Sequence, residues 1–522
     1  MALDINEAAE WASQFIKKKV TPSNIAYLIQ YGKIQKHQKN GKTLVILQDL
    51  QEYYERNMNA VRDKFEEALG EDINWDLSFS QVKEAETTKH VHRLHPYKGK
   101  FIPQLVEYFL GSHTDNFKRE VYFRPGDIIL DPFVGSGTTL VQANELGMHS
   151  IGVDISYFNC LIAEAKLEAY NIESVLARCQ ELYSIIKVEH DKSGVSALEN
   201  ELDLLLGDIN KKYFSNDYRY KVAHGGFDEA GVPQAAIREA RQGWKELFKK
   251  YNIVLDAPVT GSKFLDTWYT APVLNEALAA RALLEQMPNE EKKLLTVLLS
   301  RTLRSCRATP HYQLEKLEQP IFEPYYCYKH MKICRPVLSM LNKYTRYYKD
   351  TVKRIKEFQA IRTNAHHVLL DGDARKIDIF SAVRSKNRLF YDLLVKQKVQ
   401  GIFTSPPYVG QLDYHAQHEY AYEFFGYTRR DDEEIGKSSR GKGAKAKQDY
   451  IRDVSDTLIN CKKFLAEGCH IFIVANDQHR LYPAIAERSG LRIIQEFRRP
   501  VLNRTSRDKN PYGESIFHMI MV

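Results

Sequence analysis

With 522 residues, 43% of them hydrophobic, the chain is too long for one ordinary domain and should fold as about two to four units. No run approaches the roughly 18 to 20 apolar residues of a membrane span, the opening MALDINEAAEW has no apolar export core, and the seven cysteines stand singly. Membrane-spanning and disulfide-scaffold classes are thereby excluded, a cytoplasmic protein with reduced thiols is expected, and a net charge of +7 is too modest to establish a nucleic-acid partner by itself.

Within residues 1–60, Thr21 ahead of Pro22 reads as an N-cap with proline at the first helical position, and the helix should continue through Tyr27, Leu28 and Tyr31 to Gly32. Asn40-Gly41 between two strand-like runs predicts a hairpin, and a helical pattern resumes over residues 49–56. Helix, turn, helix, two-stranded wing and helix make a winged helix-turn-helix, and the stretch resembles the excisionase and MerR-like DNA-binding domains. Lys33, Lys36, Lys39 and Lys42 would line the wing; a basic hairpin on a protein-interaction domain is the other reading. Residues 61–90 read as a linker.

Beyond them, strand signals fall at residues 127–132, 150–154, 367–371, 400–405, 469–475, 491–497 and 515–522, alternating with helices as in an α/β domain. Residues 169–364 change to long helical patterns, such as 272–286 and 290–304, and are too extensive to be a loop. They are expected to form a mainly helical insertion.

The run Ile128-Ile129-Leu130-Asp131-Pro132-Phe133-Val134-Gly135-Ser136-Gly137-Thr138-Thr139 passes from a β-branched strand through a glycine-rich turn into a helix. Glycine lets the backbone approach a ligand closely, and a helix N-terminus favours a carboxylate or phosphate. The next strand ends at Asp154, about twenty residues on, from which a carboxylate can bind ribose hydroxyls. So far a dinucleotide fits equally well. Gly401-Ile402-Phe403-Thr404-Ser405-Pro406-Pro407-Tyr408 decides against it, because dehydrogenases have no such element. Two prolines fix the backbone and remove two N–H donors, leaving the Ser405 and Pro406 carbonyls as acceptors for an amino group. Tyr408 offers a face on which an extruded base can stack.

Together these residues resemble the amino-methyltransferases of bacterial restriction and modification, in which Asp-Pro-Phe-x-Gly-Ser-Gly-Thr binds the cofactor and (Ser/Thr/Asp)-Pro-Pro-(Tyr/Phe) is catalytic. His95-Pro96-Tyr97-Lys98-Gly99-Lys100-Phe101-Ile102-Pro103 is similar to the family segment that packs on the methionine end of the cofactor. Asp371-Gly372-Asp373-Ala374-Arg375 stands where the family's acid binds the adenine amine, although Asp373 would also suit a turn cap. The resemblance covers roughly residues 90–170 and 365–522. It implies an α/β, Rossmann-like class I methyltransferase fold with a seven-stranded mixed sheet, its catalytic domain formed by residues 91–168 and 365–522. The cofactor implied is S-adenosyl-L-methionine, held by Tyr97, Lys100, Phe101, Asp131, Phe133, Gly135, Ser136, Gly137, Thr138, Asp154 and Asp373. Ser405, Pro406, Pro407 and Tyr408 would be catalytic. The insertion occupies a place where some members hold their target-recognition domain. The Thr-Ser-Pro-Pro-Tyr form is similar to the cytosine-N4 branch, whereas adenine-N6 enzymes more often carry Asp at the position of Ser405. Double-stranded DNA is the implied substrate, with room for a cognate restriction endonuclease as partner.

The chemistry follows from the amine, whose lone pair is shared with the ring until acceptors hold its protons and turn it toward tetrahedral geometry. Methylation at cytosine C5 would need a cysteine nucleophile, and the chain has no Pro-Cys pair. Residues 436–447 (GKSSRGKGAKAK) read as a basic loop for a phosphate backbone, or as a solvated one. Cys327, His330 and Cys334 lack a fourth ligand, so no metal is expected. The rival functions are the same chemistry on adenine N6 or on RNA, and a non-catalytic DNA-binding defence component.

Overall fold

The computed structural model describes residues 1–16, 19–39, 41–70, 72–82, 86–215, 217–223, 231–314, 317–502 and 510–522. They divide into two compact units: Met1–Gly70 with Ile186–Leu278 and Ser305–Met340, and Glu71–Ile185 with Ala279–Arg304 and Leu341–Val522.

The second unit is built on a seven-stranded sheet. Its strands are β1 (Ile128–Asp131), β2 (His149–Asp154), β3 (His367–Asp371), β4 (Val399–Thr404), β5 (Leu465–Ala475), β6 (Leu491–Pro500) and β7 (Gly513–Met521), in the spatial order β6-β7-β5-β4-β1-β2-β3. The first five run parallel, whereas β7 lies antiparallel between β5 and β6, so the expected seven-stranded mixed sheet is found. Residues facing one side, among them Ile128, Leu130, Ile151, Val153, Ile402, Ile471 and Ile473, bury into one core layer. Their alternates Ile129, Phe403, Phe472 and Val474 enter the layer on the other side. That alternation on near-continuous apolar strands is what a sheet covered on both faces requires, each large side chain contributing roughly 1.5–3 kcal/mol. The register pairs Asp131 with Gly152 and Asp154 with Asp371, so the carboxyl ends of β1, β2 and β3 form one edge. In an open α/β sheet that edge, near the point where strand order reverses between β1 and β4, is where ligands bind.

In the first unit, strand Ala2–Asp4 pairs with Lys42–Ile46, which pairs with His37–Lys39, and helices Ile5–Phe15, Pro22–Gln30 and Leu47–Leu69 surround them. Thr21 caps the second helix: its backbone N–H donates to Asn24 Oδ1 at 2.8 Å, while the Asn24 N–H donates back to Thr21 Oγ1 at 3.3 Å. Asn40, half of the expected hairpin signal, lies outside the described residues. Helix Leu47–Leu69 continues past residue 60, into the stretch read as linker. Farther along, helices Val195–Tyr213 and Gly231–Tyr251 pack through Leu202, Leu206, Ala240 and Trp244. Among the described residues, no helix is long and apolar enough to cross a membrane.

Candidate functional site

The glycine-rich turn leaves β1 at Asp131 and enters helix Thr138–Glu145. Gly135 and Gly137 both have positive φ, +49° and +80°, a backbone region that side chains disfavour. Space is closed as well, because a Cβ on Gly137 would stand 2.7 Å from Ala163 Cβ. Asp154, ending β2, accepts from the Gly135 N–H at 2.8 Å, from the Ser156 N–H at 2.8 Å and from Asn159 Nδ2 at 3.1 Å. Asp131 accepts from Thr404 Oγ1 at 2.6 Å and from the Phe133 N–H at 3.1 Å, tying β1 to β4. Burial holds both carboxyls up to about 6, above the ordinary carboxylate range.

These groups open into a pocket of about 800 Å³. Its walls include Tyr97, Lys100, Phe101, Asp131, Phe133, Gly135, Ser136, Thr138, Asp154 and Asp373 from the expected cofactor set, and Ser405 and Pro407 from the expected catalytic set. Gly137 is behind the wall, where it seats the turn on Ala163. Two buried hydroxyls of this pocket, Ser136 Oγ and Thr138 Oγ1, find no hydrogen-bond partner among the described residues. Orphaned donors in a cradle next to two carboxylates suit a ligand that carries a carboxylate, an amine and ribose hydroxyls, as S-adenosylmethionine does. Lys100 donates from Nζ to the His92 carbonyl at 2.8 Å, and burial lowers its ammonium to about 8, so it anchors the turn His90–Arg93 as well as lining the pocket. Asp373 accepts from Arg375 Nε at 2.8 Å and from the Arg375 N–H at 2.9 Å, which makes it both a pocket residue and a turn cap.

At the end of β4, no loop or turn backbone N–H among the described residues donates to the Ser405 or Pro406 carbonyl, and Pro406 itself is buried and does not line the pocket. Tyr408 turns away from the large pocket into a second cavity of about 370 Å³ that it shares with Lys442, Asn476 and Asp477. Its hydroxyl donates to Glu514 Oε1 at 3.1 Å, and Glu514 Oε2 is clamped by Arg499 Nη2 at 2.8 Å and Nε at 3.0 Å. Glu514 and Arg499 were missed by sequence reasoning, as were the pocket residues Tyr414, Glu433 and Glu434; none sits in a local motif.

One expectation is corrected, and the ground given for another changes. Residues 436–447 do not form a free loop: Ser438 donates from its N–H (2.8 Å) and Oγ (2.6 Å) to Asp413, the Gly410 N–H donates to the Gly436 carbonyl, and helix Ala444–Lys462 begins inside the segment. The absence of metal was expected because Cys327, His330 and Cys334 lacked a fourth ligand, yet the fold brings His311 to them.

Residues 4–165 match the protein family described as DNA methylase. Over 526 residues the chain is 44% identical to the type II methyltransferase M.MjaII of Methanocaldococcus jannaschii, covering 99% of this chain and 96% of that one. The type II methyltransferase M.BsoBI of Geobacillus stearothermophilus is 34% identical over 120 residues, 22% of each chain. Among solved structures, the rRNA methyltransferase aviRa of Streptomyces viridochromogenes covers 85% of this chain and 94% of its own at 7% identity and a TM-score of 0.29, too slight a likeness to bear on the fold. The glycine-rich cradle and the Pro-Pro corner at one sheet edge define an amino-methyltransferase of the N4/N6 class. With M.MjaII matched almost end to end, the chain belongs to the type II DNA methyltransferase family, whose methyl donor is S-adenosylmethionine.

Proposed function

We propose that this protein methylates the exocyclic N4 amine of cytosine in duplex DNA, as the modification half of a restriction-modification pair. The reading is supported by Ser405 and Pro407 on the wall of the pocket that contains Asp131 and Asp154, with a serine rather than an acid at position 405. In this reading Ser405 and the Pro406 carbonyl take the amine protons and draw its lone pair out of conjugation with the ring, Pro407 fixes the corner, and Tyr408, which lines the neighbouring hollow rather than the large pocket, would meet the base from that side. S-adenosylmethionine supplies a methyl made electrophilic by its sulfonium, so the protein's task is orientation and no covalent enzyme intermediate arises. Asp154 would accept from the ribose hydroxyls, Asp131 and the Ser136 and Thr138 hydroxyls would hold the methionine portion with Tyr97, Lys100, Phe101, Phe133 and Gly135, and Asp373 would bind the adenine amine. Incubating the protein with duplex DNA and methyl-labelled donor, then separating the nucleosides, should place the label in N4-methyldeoxycytidine. Label in N6-methyldeoxyadenosine would overturn the choice of base, and a protein that binds donor and duplex yet labels neither would overturn the enzymatic reading.

Residues 91–168 and 365–522 form the catalytic domain in this reading, and residues 169–364 contribute target recognition. The N-terminal winged helix reads DNA through the exposed side of helix Pro22–Gln30, where Ser23, Asn24, Ala26 and Tyr27 face outward, with Lys33, Lys36 and Lys42 on phosphates. Replacing those three lysines by alanine should reduce the slope of log affinity against log salt by about 0.9 for each phosphate that is no longer neutralised. An unchanged slope would make the domain a docking surface for protein instead.

A further inference from the structure

We propose that His311, Cys327, His330 and Cys334 form a structural zinc site. Cys327 ends the strand Tyr325–Cys327, and Cys334 ends its antiparallel partner Lys332–Cys334. Cys327 stands opposite Lys332, two residues before Cys334, so alternation along the strand puts both thiols on one face. The connecting turn brings the imidazole back to them: the His330 and Met331 N–H groups both donate to the Cys327 carbonyl, at 3.0 and 2.6 Å, and Met331 takes a left-handed φ of +47°. His330 Nδ1 then stands 3.3 Å from Cys334 Sγ. His311 arrives from the segment before the hairpin, its N–H donating to the Tyr325 hydroxyl at 3.2 Å and its Nδ1 lying 3.8 Å from Cys327 Sγ.

All four ligand atoms lie within 4.8 Å of one another. A tetrahedral zinc with bonds of about 2.3 Å to sulfur and 2.0–2.1 Å to nitrogen has edges of roughly 3.3–3.8 Å, so small side-chain adjustments close the set around an ion. Two thiolates and two neutral imidazoles cancel the charge of the dication, and four protein ligands leave no open position, which makes the site structural rather than catalytic. The other candidate clusters, His90/His92/Glu145 and His415/Asp431/Glu434, offer three residues each and no thiolate.

Local energetics give the ion its purpose. The described residues of 307–324 form no helix or strand, and the hairpin strands are three residues each. The small core on the thiol side consists of Tyr325, Cys327 and Cys334, with Tyr312 and Ile321 partly buried against it, and two of its three buried residues are themselves ligands. So little apolar area does not hold an irregular segment against its chain entropy, whereas a metal cross-link does. The opposite face of the hairpin is already secured, since Tyr326 and Ile333 bury with the helices Val195–Tyr213 and Gly231–Tyr251, and Asn210 brackets the Ile333 backbone at 2.8 and 3.0 Å.

The full-length protein, purified without a histidine tag and desalted over a chelating resin, should retain about one zinc per chain by elemental analysis. Exchange with cobalt should give a thiolate-to-cobalt charge-transfer band and the intense visible bands of a tetrahedral centre, both displaced by stoichiometric zinc. Cys327→Ser, Cys334→Ser and His311→Asn should each lose the metal, while Cys469→Ser, at a buried cysteine elsewhere in the fold, should keep it. If the ligand variants do not fold, the wild-type cobalt spectrum decides alone. Wild-type protein that holds less than about a tenth of an equivalent and shows no thiolate band on reconstitution overturns the site. So does metal retained by all three ligand variants, or a Cys327–Cys334 disulfide in freshly purified protein.

Discussion

The two sides of the large pocket are finished to different degrees. On the glycine-turn side, Asp131 and Asp154 each hold the backbone of the turn, and Gly137 has no room for a side chain. On the Pro-Pro side Ser405 and Pro407 line the pocket, no loop or turn backbone N–H among the described residues donates to the Ser405 carbonyl, and the nearest reinforcement runs outward, from Tyr408 through Glu514 to Arg499. The lesson is that a cradle can be built from a turn satisfied by its own carboxylates, while in the proposed reaction the group that grips a transient amine would keep its acceptors unspent.

The largest effect should come from breaking the finished side. Gly137→Val forces a β-branched residue to φ +80° and against Ala163, so donor binding should weaken on the order of a hundredfold or more in titration calorimetry. Near-native affinity in a folded variant would show that the turn is not the donor site. Ser405→Ala should leave donor affinity within about twofold while turnover falls roughly tenfold or more, the signature of a group that acts on the amine. A variant that loses affinity and keeps turnover at saturation would reverse the two sides.

The comparison can be sharpened with pH. Because burial raises the Asp131 and Asp154 carboxyls to about 6, these groups favour the empty folded protein at low pH and cost it stability as pH rises through about 6. Donor binding through the ionised carboxylates has the opposite sense: affinity should be flat above about pH 7 and weaken below about 6 by up to about tenfold per unit for each carboxylate that must ionise. Asp154→Asn should flatten that dependence, and a variant with the wild-type profile would remove Asp154 from the donor site. The smallest effect belongs to Glu514→Gln, which keeps an acceptor for Tyr408 but weakens the Arg499 clamp; turnover should fall about two- to fivefold with donor affinity unchanged. Equal loss in donor affinity would mean that the clamp supports the whole sheet edge rather than Tyr408.

What the sequence made legible was whatever it wrote in consecutive residues. The strand-turn-helix around Gly135 and the corner around Pro406 are local, and the pocket brings most of their residues together. Glu433, Glu434, Tyr414, Glu514 and His311 come from separate segments, and only the folded chain gives them neighbours. Residues 436–447 looked like loop because glycine, serine and basic residues dominate there, yet Ala444 starts a helix whose later residues Tyr450, Val454 and Leu458 bury in the core. Asp373 lines the pocket and also accepts from Arg375, so the turn-cap reading that the sequence offered beside the pocket one holds together with it, which only side-chain geometry could show.

β2 and β3 lie side by side, with Ser150 opposite His367 and Asp154 opposite Asp371, although the whole stretch from Ile155 to His366 separates them along the chain. The two ends of that stretch therefore leave and return at neighbouring strands, about 5 Å apart across the ladder. Within that stretch Asn159 and Ala163 brace Asp154 and Gly137 and are fixed by the site, whereas Ile186–Leu278 and Ser305–Met340 fall in the other compact unit and could change in length while the sheet edge keeps its register. The same detour slows assembly, since the β2–β3 ladder closes only after a very long loop has been brought round, and the edge strand β3 should be among the last parts of the sheet to gain protection from hydrogen exchange during refolding.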